Sequence, residues 1–228
     1  MAPHPGAMDC EAIGTGFLAQ PVNALSSLAY VGAALWVVAA ARRVRGRVTA
    51  DVATVAGLVA AEGLGSLLFH GPGDAASHWL HDVTLVGALT SVVATDTALA
   101  TDRDPGAAVV PTWVLTAGAA GLLAVAPGAT NAVAAVAGGA ALTAAVFAGI
   151  RRRAGRRWRV ASAVCLGTGV VLDLLGRTDG AWCRPESSWQ PHAGWHVLTA
   201  TAFALWARAA VVESVRPEPA AEVAAPAA

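Results

Sequence analysis

Residues 51–70 read DVATVAGLVAAEGLGSLLFH and are followed by Gly71-Pro72-Gly73. The run carries two acids, Asp51 and Glu62, and is otherwise almost wholly apolar until His70. At about 1.5 Å per residue such a helix is about 30 Å long, the thickness of a bilayer's hydrocarbon core. The apolar residues cover every face rather than one stripe, so the pattern is that of a membrane span. The Gly-Pro-Gly triplet then stops the helix.

The same pattern recurs on both sides of this segment. Residues 21–41, 77–100, 108–125, 130–150, 158–176 and 191–212 are the other apolar runs of spanning length. Composition agrees: 56% of the chain is hydrophobic and 13% charged, against about 25% charged in soluble domains. The mean hydropathy is +0.56. The fold class expected is all-α, a seven-transmembrane helix bundle over residues 1–216. Residues 217–228 are Ala/Pro/Glu-rich without periodicity and read as a disordered tail. No secretory leader is expected from the first 20 residues, where Asp9 and Glu11 precede the first apolar run. The net charge is zero, which gives no sign of a nucleic-acid partner.

Charge placement orients the bundle. All 15 basic residues are Arg. Arg42, Arg43, Arg45, Arg47, Arg103, the cluster at 151–159, Arg208 and Arg216 follow odd-numbered spans. Only Arg177 and Arg184 fall on the other side. Basic loops stay cytoplasmic, so the N-terminus is expected outside and the C-terminus in the cytoplasm. Arg without Lys, with heavy Ala, Gly and Val usage, points to a GC-rich bacterial genome. The location expected is therefore the bacterial inner (plasma) membrane.

With that topology all six histidines lie at the outer side. His70 ends the second span, His78 and His81 start the third, and His192 and His196 start the seventh; His4 is in the N-terminal segment. An isolated histidine is usually a packing residue. An i, i+4 pair such as His192/His196 presents both imidazoles from one helix face. With His70 it makes three nitrogen ligands, the number a catalytic zinc uses while keeping one position for water. Ser66 lies one turn deeper than His70 on the same face, and Asp82 lies near the start of the third span. A carboxylate there can take a proton from water, and a hydroxyl can stabilise an oxyanion. Ser66 taken alone would read as a helix-packing hydroxyl. Glu62 is on the stripe of Ser66 and His70, where it feeds a hydrogen-bond network or lines a water-filled cavity. Asp96 reads as interfacial, and Asp173 has no evident partner in its helix.

These residues resemble a known pattern. Ser66-Leu67-Leu68-Phe69-His70 is similar to the S-x-x-x-H motif of the CREST superfamily of membrane hydrolases, and the alkaline ceramidases are the nearest match within it. Gly63 to His70 resembles their G-x-G-S-x-x-F-H, and Pro191-His192-Ala193-Gly194-Trp195-His196 their F-H-A-W-W-H. Trp79-Leu80-His81-Asp82 stands where they carry L-L-D. Asp9-Cys10-Glu11, with Asn23-Ala24-Leu25-Ser26-Ser27 after it, resembles D-W-C-E and N-T-x-S-N. The motifs occur in order over nearly the whole chain.

The resemblance implies zinc on His70, His192 and His196, with Asp82 orienting or deprotonating the attacking water and Ser66 stabilising the oxyanion. It implies hydrolysis of an acyl amide in a membrane lipid, ceramide or another N-acyl lipid, that enters sideways from the bilayer. It also implies calcium (Ca2+) on Asp9, Glu11 and Asn23, although Gln20 stands where a further acid is expected, which thins the set. Asp82 lies one residue farther from His70 than in the family, an insertion the Gly71-Pro72-Gly73 turn can absorb. His78 and His81 are outside the family pattern. His78 shares a helix face with Asp82 and is either a support behind the site or a rim residue. Asp179-Gly180-Ala181-Trp182-Cys183 resembles the D-x-x-x-C before the last ceramidase helix, which implies a Cys10–Cys183 disulfide. Cys165 is a mid-helix packing residue.

Two other functions compete. A receptor or transducer, as in the progestin and adipoQ receptors of the same superfamily, would keep a similar metal site. A metal or proton transporter would need polar groups continuing to the inner side, where these helices are mostly Ala, Val and Leu.

Overall fold

A computed structural model describes residues 4–215. Among them there is no strand, and seven spans are long and apolar enough to cross a membrane. The protein is therefore an integral, multi-pass membrane protein of the all-α class. In hydrocarbon every backbone N–H and C=O must be paired within the segment, which leaves the helix as the form a lone apolar run adopts. The tail read as disordered lies outside the described residues.

The helices are α1 Pro21–Ser26, α2 Leu28–Arg45, α3 Ala50–His70, α4 Ala75–Ala100, α5 Val109–Val125, α6 Thr130–Arg151, α7 Arg156–Leu175 and α8 Pro191–Glu213. Seven expected spans become eight helices because the first one breaks at Ser27. The Asn23 carbonyl accepts from the Ser26 and Ser27 hydroxyls and from His196 Nδ1. Side chains thus compete with the helical ladder at the step where α1 hands over to α2. Asp74 caps α4, accepting from the Ser77 backbone N–H at 2.7 Å. Pro191 opens α8 at a position where its missing N–H costs nothing.

The packed centre joins α2, α3, α4 and α8. Tyr30, Val37, Val55, Val59, Val92 and Trp206 are buried there among many alanines. Small residues let the backbones approach closely, and lipid offers no hydrophobic drive to compensate for loose packing. Little of α6 or α7 is buried within the bundle, so most of their apolar surface faces lipid. α6 leans on α4 and α7 on α8, while α6 and α7 barely touch.

The two ends of the bundle differ. At the Arg-rich end Arg159 forks between Asp96 and Glu213, with 2.7 Å to each, and Trp206 Nε1 donates to Asp96 at 2.9 Å. Arg45 pairs with Asp51 at 2.8 Å, and Arg152 with Asp102 at 2.7 Å. Asp96 is fully buried within the bundle, near the Arg-rich end of α4. Its partners lie on α7 and α8, 63 and 110 residues away in sequence. Polar groups therefore also gather at this end of the bundle. The Ala/Val centre lies between them and the histidines.

At the opposite end the N-terminal segment is strapped down. Cys10 and Cys183 form a disulfide, as the resemblance implied, and Cys165 is free. Thr178 Oγ1 donates to Ala7 O at 2.7 Å and accepts from the Cys10 N–H at 3.2 Å. Glu11 accepts from the first turn of α1, from Val22 N at 2.7 Å and Asn23 N at 2.8 Å.

Candidate metal centre

Two helix ends meet beneath the strap. α3 delivers His70 in its last turn, and α8 delivers His192 and His196 from its first two turns. Ring centroids are 5.1 Å apart for His70 and His192, 5.1 Å for His70 and His196, and 4.6 Å for His192 and His196. One nitrogen of each lies within 4.8 Å of the others, a group that can hold a metal ion.

The opposite nitrogens decide how these rings are presented. His70 Nδ1 faces Gln20 Oε1 at 2.8 Å. His192 Nδ1 faces Asp173 Oδ1 at 2.8 Å, with Asp9 Oδ1 at 3.6 Å. His196 Nδ1 faces Ser26 Oγ at 2.8 Å and Asn23 O at 3.1 Å. Gln20 Oε1, Asp173 and the Asn23 carbonyl can only accept, so each Nδ1 carries the proton and each Nε2 keeps its lone pair. An acceptor behind each imidazole fixes its tautomer and orientation, the usual arrangement at metal-binding histidines. Neutral imidazole nitrogen suits zinc, copper, iron and nickel. The donor set thus fits a divalent transition metal.

Ser66 is fully buried, with its Oγ 2.9 Å from Ser27 Oγ and 3.4 Å from His196 Nε2. Asp82 lines a cavity of about 440 Å³ together with His70, His192 and His196. Its Oδ2 accepts from Thr130 Oγ1 at 2.8 Å and lies 3.3 Å from His78 Nε2. Its Oδ1 lies 3.1 Å from His81 Nδ1. Glu62 is buried one turn below Ser66, accepting from Thr84 Oγ1 at 2.8 Å, with His81 Nε2 at 3.5 Å. Glu62, His81, Asp82 and His78 thus form one polar chain on the cavity wall opposite α8. Phe69 stacks beside His70, His78 and His81.

Three residues named for calcium do not form a shell. Asp9 turns to His192, where burial raises its carboxyl above the ordinary range and the His192 imidazole partly offsets this. Both Glu11 oxygens are taken by backbone N–H groups. Asn23 alone leaves side-chain atoms buried without a partner among the described residues. Calcium takes six to eight oxygens, and this set offers too few.

Asp9, Asp173 and His192 also come within metal-binding distance of one another. Asp173 already accepts from His192 and from Arg177 at 2.9 Å, and the Asp173 contact holds the Arg177 guanidinium above its ordinary pKa. These carboxylates serve as support behind His192. The sequence reading found no partner for Asp173, and it saw Gln20 only as a missing acid. Asp173 had two available signals: Arg177 four residues on, and its place near the end of its helix, level with His192. Ser26 carried one, its place in the Asn23-to-Ser27 motif, while Thr130 and the Asn23 carbonyl carried none.

No family model matches the chain, and no curated protein matches it. The resemblance to ceramidases rests on the motifs and their order.

Proposed function

We propose that this protein is a zinc-dependent membrane hydrolase that cleaves the acyl amide bond of a lipid, ceramide-like in kind, at the extracytoplasmic face. One observation carries the reading: one ring nitrogen from each of three histidines comes within 4.8 Å of the others beside a cavity, and each ring has an acceptor at its Nδ1. Zinc held there would act as a Lewis acid and would lower the pKa of a water to about 7.

The chain's own groups fit the remaining roles. Asp82, oriented by Thr130, His78 and His81, takes a proton from the attacking water and returns it to the leaving nitrogen. The C–N bond breaks, the water oxygen joins the acyl carbon, and a fatty acid and a long-chain amine result. Ser66 Oγ, 3.4 Å from His196 Nε2, donates to the oxygen on which charge develops. The cavity reaches Thr130, Asn131 and Ala134 of α6 and Asp173 of α7. Those two helices barely touch, which supports sideways access from the bilayer.

The test is metal content by mass spectrometry on detergent-purified protein beside a His192→Ala/His196→Ala double variant. About one zinc per chain, lost in the variant, is expected, together with hydrolysis of a lipid amide by the wild type alone. A wild type that stays metal-free after zinc is re-added refutes the proposal. Zinc without hydrolysis of any lipid amide or ester turns the reading to a receptor or transducer.

A further inference from the structure

Gln20 is fully buried between the N-terminal strap and the metal centre. Its Nε2 donates to Gly6 O at 2.8 Å and to Glu11 O at 2.9 Å. Carbonyl oxygens only accept, so the side-chain amide can face these two in one orientation alone. The same orientation turns Oε1 to His70 Nδ1 at 2.8 Å. An amide oxygen also only accepts, so His70 must carry its proton on Nδ1 and leave Nε2 free. The backbone closes the clasp, with Gln20 N–H donating to the His70 carbonyl at 2.9 Å. Gly6 is required for this approach, because a Cβ there would overlap Gln20 Oε1.

We infer that Gln20 is the positioning residue that locks His70 in its metal-binding tautomer. The inference rests on the metal centre of the proposed function, not on the reaction. The amide nitrogen fills the space between two carbonyls that would otherwise attract a cation, so this chain organises the strap with a neutral hydrogen-bond donor.

The experiment measures zinc affinity by chelator competition, and the visible spectrum of the cobalt-substituted protein, for Gln20→Ala and Gln20→Met. Both are compared with Thr178→Val, which loosens the strap at Ala7 and Cys10 without touching His70. Methionine keeps the length of the side chain, so it reports on the lost acceptor even if the alanine variant fails to fold. Expected is a loss of about 10- to 100-fold in zinc affinity for the Gln20 variants, with an altered cobalt spectrum. Thr178→Val should match the wild type in both. Wild-type affinity in a folded Gln20 variant overturns the inference and leaves the metal centre standing. An equal loss in Thr178→Val also overturns it, since strap docking alone would then explain the effect. A wild type that binds no zinc removes the metal centre itself, and the inference with it.

Discussion

Ser66 is the residue whose role is most open to decision by one substitution. Its hydroxyl touches Ser27 Oγ at 2.9 Å and His196 Nε2 at 3.4 Å, so it lies beside the histidine group without being part of it. Ser66→Ala should therefore keep zinc content at the wild-type level. If the hydroxyl donates to a developing oxyanion, turnover should drop by about 100- to 1,000-fold. Zinc titration and lipid-amide turnover on the same preparation separate the two effects; unchanged turnover would reduce Ser66 to a packing hydroxyl. The histidines around it were legible in the sequence because helix periodicity alone places His192 beside His196. Their supports were not. Gln20 acts through backbone carbonyls of residues 6 and 11, and His196 is held by the Asn23 carbonyl. A main-chain acceptor has no side-chain signature, so no pattern of residue types announces it.

At the scale of elements, α7 depends on Arg159. This helix is otherwise mostly lipid-facing, yet its first turn is bound to α4 through Asp96 and to α8 through Glu213. Both acids are buried. Removing the cation would leave two carboxylates facing each other away from water, and breaking a buried pair of this kind costs about 3–5 kcal/mol. Arg159→Met should lower the thermal unfolding midpoint in detergent markedly. Replacing Asp96 and Glu213 by leucine in the same chain should recover most of the loss. Zinc content of the folded fraction should not change, because the Ala/Val centre separates this cluster from the histidines. Recovery failing in the triple variant would mean that packing, not charge, holds α7. The spans themselves were readable to within a few residues, since length and hydropathy act locally. The ion pairs that join them link positions 54 and 63 residues apart and follow only from how the helices are arranged.

The whole molecule is polarised. One end gathers the arginine clusters and their acids, and the other carries the disulfide, the strap and the histidines. Cytoplasmic loops collect arginine, and disulfides persist on the oxidising side of the membrane. These two rules act through different chemistry, insertion on one hand and redox potential on the other, and here they orient the bundle the same way. Both rules predict the arginine end in the cytoplasm and the histidine group outside. Single cysteines introduced at Asp104, in the loop after α4, and at Ser187, in the loop before α8, test this directly. The free Cys165 is replaced by alanine in both backgrounds, while Cys10 and Cys183 stay paired. In intact cells an impermeant maleimide should label Ser187→Cys and spare Asp104→Cys until the membrane is opened. The reverse pattern would place the metal centre on the cytoplasmic side. Its lipid substrate would then lie in the inner leaflet, and the Cys10–Cys183 bond would have to survive a reducing compartment.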